Sequence, residues 1–320
     1  MNSAEPLVSI IIPVYNGADY MREAIDSALA QTYKNTEVIV VNDGSADNGK
    51  TDEIALSYAG KIRYFKKENG GVSSALNLGI KNMRGEYFSW LSHDDVYKPR
   101  KIERQINLLR SVGFKPDTLA MCCADFINGD SEIIRNTKSK TKKTQLLSWQ
   151  NALYRLIADG CFIGCDLLIP RKAFDDCGMF DENLRYIQDF LMWIKIFSNK
   201  YRLFCSRDVD VHSRVHGGQL TQKGKALFAE ESEKAGRRII PLFAELSSPE
   251  YNFLYRYAVY CAINRLNVNV SECVKTADKN KLFSPGQKAV IRFYELYGKT
   301  RPALRKAYYR VLQKKSKEIS

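Results

Sequence analysis

Asp94 and Asp95 stand side by side directly after an apolar run, Tyr87-Phe88-Ser89-Trp90-Leu91. Two carboxylates at the exposed end of a buried strand repel each other unless a cation or a hydroxyl-rich ligand sits there. Mg²⁺ or Mn²⁺, held by one or two carboxylates and by phosphate oxygens, would neutralise a bound diphosphate. The plain alternative is a solvated acidic turn before Pro99, and the position after a buried strand favours the ligand site. Asp43 follows a second apolar run, Val38 to Val41, and precedes Gly44-Ser45. A carboxylate there can accept hydrogen bonds from a base or ribose across the strand tips, or simply cap a turn or helix. Asp189 lies among Tyr186, Ile187, Phe190, Leu191 and Trp193. Apolar surroundings raise a carboxyl pKa, which suits a general base; a helix N-terminal aspartate is the compatible structural reading. His216, beside Gly217-Gly218, could ligate a metal or meet a phosphate, whereas His93 and His212 suit structural roles equally well.

These residues need a frame. Val8 to Tyr15 reads as a first strand and Glu37 to Val41 as a second, buried on both faces. A short third strand covers Lys61 to Phe65, a fourth Glu86 to Leu91 and a fifth Leu119 to Ile127. Helices are expected between them at Asp19 to Gln31, Asp47 to Ala59 and Val72 to Asn82, and one begins at Pro99. Strands alternating with helices of this length indicate βαβ units around a mostly parallel sheet flanked by helices, an α/β class. Gly129 to Gln145 reads as a polar, basic loop, Phe162 to Pro170 as a strand, Asp181 to Ser198 as a turn plus helix, and Tyr201 to Val215 as one or two strands. From about Lys223 the pattern is helical, with breaks expected at Pro241, Pro249, Pro285 and Pro302. The division expected is therefore 1–221, an α/β catalytic domain, and 222–320, a basic helical region for packing, membrane or oligomer contacts.

Bulk properties narrow the class. In 320 residues, 45% are hydrophobic and 27% charged, as in globular proteins. No apolar run is long enough to span a membrane, and the polar start does not read as a signal peptide. The net charge of +13 is concentrated: residues 271–320 hold thirteen Lys or Arg against four Asp or Glu, and Arg135 to Lys143 holds five basic residues and no acid. These are either solvated stretches or a contact with an anionic surface, such as a membrane leaflet, an acidic glycan or a lipid carrier. The eight cysteines form no CxxC pair, so reduced thiols acting as small hydrophobes are expected rather than a zinc site.

Taken in order, several segments carry a resemblance: Val8-Ser9-Ile10-Ile11-Ile12-Pro13-Val14-Tyr15-Asn16, Val40-Val41-Asn42-Asp43-Gly44-Ser45, Asn69-Gly70-Gly71 with Ser74, Gly85-Glu86-Tyr87, Asp94-Asp95, Gly178-Met179-Phe180-Asp181-Glu182, Asp189 with Trp193, and Arg214-Val215-His216-Gly217-Gly218-Gln219. Together they resemble a family-2 glycosyltransferase of the GT-A fold, a group of inverting enzymes that use nucleotide sugars. The likeness runs over residues 8 to 221. It implies that Pro13, Val14, Tyr15 and Asn16 line the nucleotide pocket, that Asp43 meets the base, and that Asn69, Gly71 and Ser74 shape the floor. It further implies Asp94 on the ribose, Asp95 and His216 at a Mn²⁺ or Mg²⁺ ion, and Asp189 as catalytic base. A nucleotide-diphosphate sugar donor, with UDP favoured, would then give its sugar to a glycan or lipid-linked acceptor in bacterial surface polysaccharide synthesis. The setting implied is cytoplasmic, peripheral at the inner membrane face, with homo-oligomers possible and no nucleic acid partner. Three positions depart from the commoner pattern: Ser92 and Gln188 where an acid is frequent, and Leu76 where arginine is. The competing reading is a membrane- or nucleic-acid-binding protein acting through its basic C-terminal tail.

Overall fold

The computed structural model describes residues 5–137, 143–160, 162–219 and 224–297. They fall into two compact units. The first takes residues 1–148, 163–188 and 199–222; the second takes 149–162, 189–198 and 223–320.

The first unit is built on one mixed sheet. Its strands are β1 (Val8–Val14), β2 (Thr36–Asp43), β3 (Arg63–Lys67), β4 (Tyr87–Trp90), β5 (Val96–Tyr97), β6 (Thr118–Ile127), β7 (Ile133–Arg135), β8 (Gln145–Leu147), β9 (Leu167–Pro170) and β10 (Arg202–Arg214). The order is β3-β2-β1-β4-β9-β6-β10-β5, with β7 on β6 and β8 on β10. The longer pairings, β1–β2, β2–β3, β1–β4 and β6–β10, are parallel. The short ones are antiparallel. Every residue of β1 is buried, as a strand covered on both faces requires, and it reads as one apolar run for that reason. Pro13 is tolerated in this central strand. The Ile11 carbonyl accepts from Leu91 N, so Pro13, two residues on, faces the same side just past the end of β4, where no ladder bond is lost.

Helices α1 (Met21–Leu29), α2 (Lys50–Leu56), α3 (Val72–Asn82), α4 (Lys101–Arg110) and α6 (Lys172–Cys177) belong to this unit. In α3 the residues Ala75, Leu76 and Ile80 are buried, and the helix packs on β1 and β2. The fully buried Lys101, in the first turn of α4, donates to Ser89 Oγ at 2.7 Å and lies 4.1 Å from the Tyr97 ring centre. Burial pulls its pKa below the ordinary lysine value.

The second unit is helical: α5 (Trp149–Asp159), α7 (Gln188–Ser198, entering the unit at Asp189), α8 (Lys225–Leu246), α9 (Phe253–Asn264), α10 (Asn267–Asn280) and α11 (Pro285–Tyr297). Its centre is α9, which is buried almost all round and packs against α5, α8, α10 and α11. No helix among the described residues is long and apolar enough to cross a membrane.

Three expectations are corrected. The span Gly129 to Gln145 is not wholly loop, since it carries β7 and begins β8; all three residues of β7 are exposed, so no alternation marks the strand. The first half of Phe162 to Pro170 is not strand but leads into a 3-10 turn at Gly164–Asp166. Pro241 does not break α8, because Ile240 and Phe243 are buried and hold the helix across the missing hydrogen bond. Pro302 and the lysines that end the chain lie outside the described residues.

Candidate functional site

β1 lies between β2 and β4, and all three run parallel, so their C-terminal ends open on one edge. That edge gathers Tyr15 and Asn16 after β1, Asp43 at the end of β2, and the Ser92–Asp95 turn after β4. Tyr15 is 47% exposed. Asn16 ties the first two strand ends together: its amide donates to Ser45 Oγ at 2.9 Å and its Oδ1 accepts from Ala46 N at 2.8 Å. Its φ of 51° is left-handed, which asparagine tolerates better than most residues. Pro13 and Val14 are buried in β1.

Asp43 is buried and fully engaged. Oδ1 accepts from Lys67 Nζ and Gly70 N, both at 2.9 Å, and Oδ2 accepts from Gly71 N at 2.7 Å. Asn69 Nδ2 donates to the Asp43 carbonyl at 2.9 Å. The aspartate thus builds the Asn69–Gly71 turn that leads into α3, where Ser74 lies one turn in. Gly44 permits the close approach. It has φ 69°, and a Cβ there would lie 2.5 Å from Asn69 N.

The acid pair is buried as well, with Asp94 8% and Asp95 5% exposed. Asp94 Oδ2 accepts from Gln219 Nε2 and meets His216 Nε2, each at 3.0 Å. Asp95 Oδ1 accepts from Arg214 N at 2.8 Å, and Oδ2 from Cys165 Sγ at 3.1 Å. Burial, then the negative charge of Asp94, pushes the Asp95 pKa up to about 7. For Asp94, burial acts upward but is outweighed by His93, Gln219 and His216, and its pKa falls below the ordinary value. One carboxylate of the pair is stabilised in its charged form and its neighbour is not. Burial pushes the Cys165 thiol well up, so it stays an S–H donor.

Arg214 is the residue whose role sequence reasoning missed. Its side chain is 0% exposed. Nε donates to the Asp94 carbonyl at 2.8 Å, Nη1 to the carbonyls of Asn128 and Gly129 and to Ser131 Oγ, and Nη2 pairs with Glu23. The guanidinium also lies 4.4 Å from the Tyr20 ring centre. Its signal in the sequence is a single arginine closing an otherwise mixed strand, which does not disclose its partners. Cys165, Gln219 and Lys67 were missed likewise. Of the three departures, Ser92 bonds Cys165 (N to Sγ, 3.3 Å), Leu76 is fully buried in α3, and Gln188 opens α7 with its Oε1 buried and, among the described residues, unpartnered.

Asp189 is in the second unit, in the first turn of α7, with Oδ1 accepting from Phe190 N at 2.7 Å. Its helix is fixed there by Trp193, whose indole N–H donates to the Phe162 carbonyl at 3.1 Å, and by Phe190, stacked 5.4 Å from Tyr260. Among the described residues, no group of three or more His, Cys, Asp or Glu side chains is arranged to hold a metal ion.

The sequence profile described as glycosyl transferase family 2 matches residues 9–178. A glycosyltransferase of Rickettsia typhi is 53% identical over 223 residues, covering 69% of this chain and 67% of the relative. The chain belongs to glycosyl transferase family 2. A second relative of this family-2 glycosyltransferase, from Rickettsia felis, is 42% identical over 297 residues, covering 90% of this chain but 48% of its own length. The minor teichoic acid biosynthesis protein GgaB of Bacillus subtilis is 31% identical over 226 residues, 68% of this chain and 24% of that protein. The chain therefore spans between a quarter and two thirds of these relatives. Among solved structures, S. aureus TarS 1-349 in complex with UDP superposes with a TM-score of 0.68 at 15% identity, covering 98% of this chain and 92% of that one. The same protein with UDP-GlcNAc gives 0.66. The fold is GT-A, with a helical C-terminal region.

Proposed function

We propose that this glycosyltransferase moves a sugar from a UDP-sugar donor to a hydroxyl of a glycan or lipid-linked acceptor, with inversion at the anomeric carbon. The observation that carries the reading is the placement of Asp43 and the Asp94-Asp95 pair at the ends of β2 and β4, on either side of β1. A nucleotide laid across the end of β1 would put its base toward Asp43, its ribose toward Asp94 and its diphosphate toward Asp95. Tyr15 offers an exposed ring, and Pro13, Val14 and Asn16 would form the wall beside it; Asn69, Gly71 and Ser74 would close the floor. The complexes of the fold neighbour with UDP and UDP-GlcNAc support a UDP donor. The relative in teichoic acid biosynthesis supports a bacterial surface polysaccharide as product.

The donor atoms suit Mg²⁺ or Mn²⁺: carboxylate oxygen from Asp95, with the His216 imidazole nearby on Asp94. The raised Asp95 pKa marks a negative charge that the protein itself does not compensate. A bound cation supplies charge stabilisation to the departing diphosphate. Asp189 is then the general base that takes the proton of the attacking acceptor hydroxyl, leaving a single displacement. Residues 1–221 would carry donor binding and catalysis. Residues 222–320 would serve packing, homo-oligomer contacts or an anionic membrane surface; the last of these would put the protein in the cytoplasm at the inner membrane face.

The test is a hydrolysis and transfer screen of nucleotide sugars with Mn²⁺. Asp189→Asn is expected to keep UDP binding and lose about 10²–10⁴-fold in turnover. Full turnover in that variant removes Asp189 from the base role, and full turnover in chelator removes the cation.

A further inference from the structure

We propose that Arg214 and Cys165 are positioning residues which clamp the Asp95 carboxylate from two sides and fix its orientation. The inference rests on the reading of Asp95 as the cation-holding acid. Each oxygen of Asp95 has one jaw: the main-chain N–H of Arg214 at 2.8 Å on Oδ1, and the Cys165 thiol at 3.1 Å on Oδ2. The Ser213 hydroxyl also hydrogen-bonds to this carboxylate; a carboxylate offers about four acceptor positions, so these three donors set its plane and still leave acceptor capacity.

The arginine jaw is a backbone group, and the side chain is what holds that backbone in place. The guanidinium binds three separate pieces of chain: the Asp94 carbonyl (2.8 Å), the Asn128–Ser131 turn (the Asn128 and Gly129 carbonyls at 2.9 and 3.1 Å, Ser131 Oγ at 3.0 Å) and the Glu23 carboxylate. A planar fork of five N–H donors can serve such a set, and a lysine ammonium cannot. Because Nε grips the residue next to Asp95, the same side chain fixes both the acid and its partner.

The cysteine jaw sits on the Gly164–Asp166 turn, which is held against β4 by shape. A Cβ on Gly164 would lie 2.2 Å from Trp90 Cε3. Cys165 Sγ also accepts from Ser92 N at 3.3 Å and lies 3.4 Å from Ser92 Oγ. The thiol therefore spans the two ends of the Ser92–Asp95 turn. That turn is closed by a single backbone bond, Asp95 N to Ser92 O at 3.1 Å.

Two readouts test the clamp on the full chain. In the ligand-free protein, Cys165→Ala and Arg214→Met should speed amide exchange over residues 92–96, while Cys165→Ser, which keeps a donor, should stay close to the wild-type rate. With ligand, both disruptive variants should weaken Mn²⁺-supported UDP binding about 10–100-fold, the usual cost of losing a group that orients a metal ligand. UDP binding of Cys165→Ala in chelator should not change, and Arg214→Lys should rescue only part. If Arg214→Met does not fold, Glu23→Gln and Ser131→Ala each remove one anchor and should raise the same exchange to a smaller extent. Wild-type exchange and wild-type Mn²⁺–UDP affinity in Cys165→Ala and Glu23→Gln overturn the clamp. A wild-type protein that binds no UDP overturns the donor reading instead, and the exchange experiment still decides the clamp.

Discussion

Asp43 and Asp95 both sit at the edge where parallel strands end, both are nearly inaccessible, and they are neutralised in opposite ways. Asp43 has a lysine ammonium and two main-chain amides on its carboxylate. Asp95 has one amide, one thiol and one hydroxyl, all neutral donors, and its negatively charged neighbour adds to the load. The Arg214 guanidinium, whose own main-chain N–H reaches Asp95, is turned onto carbonyls and Glu23. A buried charge without a partner is costly. The difference is that Asp43 is satisfied by a cation and amides of the protein, where it builds the Asn69–Gly71 turn, whereas Asp95 is met by neutral donors alone.

The contrast can be broken by mutation. Asp95→Asn should lower transfer most, by several kcal/mol of lost charge stabilisation or about 10²–10³-fold in kcat/KM, measured with saturating Mn²⁺. Above about pH 7, where Asp95 is ionised, the same change should raise the melting temperature of the cation-free protein, since it removes a poorly compensated charge. A lower melting temperature would show that Asp95 is already satisfied. Asp43→Asn should do the reverse to stability: an amide cannot accept from Lys67, Gly70 and Gly71 together, and the cost is about 1–3 kcal/mol in urea unfolding. Gly44→Ala should cost about 1–2 kcal/mol for the left-handed backbone alone, with UDP affinity falling as the Asn69 turn is pushed away. The smallest effect is on pH dependence. The folded protein keeps the Asp95 proton up to about pH 7, while the unfolded chain releases it near about 4. The folded form thus holds more protons across that window, and stability conferred by this group falls as pH rises through it. Thermal melts without divalent cation should show that slope, and Asp95→Asn should lack it.

Much of the frame was legible from residue pattern. β1, β2 and β4 are mostly apolar because both faces are covered, and α3 has the bounds Val72–Asn82 that its apolar spacing predicts. The acid pair stood out because two adjacent carboxylates follow such a run, and its burial sets aside the solvated turn that was the plain alternative. β7 was not, being exposed on every residue, nor was α5, whose Trp149–Asp159 span followed a stretch read as polar loop. The clamp on Asp95 was illegible for a different reason. Arg214 meets Asp94 and Glu23 across 120 and 191 residues of chain, and no local periodicity encodes such a pairing.

Lys101 carries a last consequence. Its amine is sealed beneath the sheet against Ser89 and the Tyr97 ring, with a depressed pKa. Acylating reagents can reach it only when α4 lifts away, so the rate at which it is tagged counts those openings, much as amide exchange does. One native lysine thereby serves as a built-in clock for breathing of the layer under the acid pair.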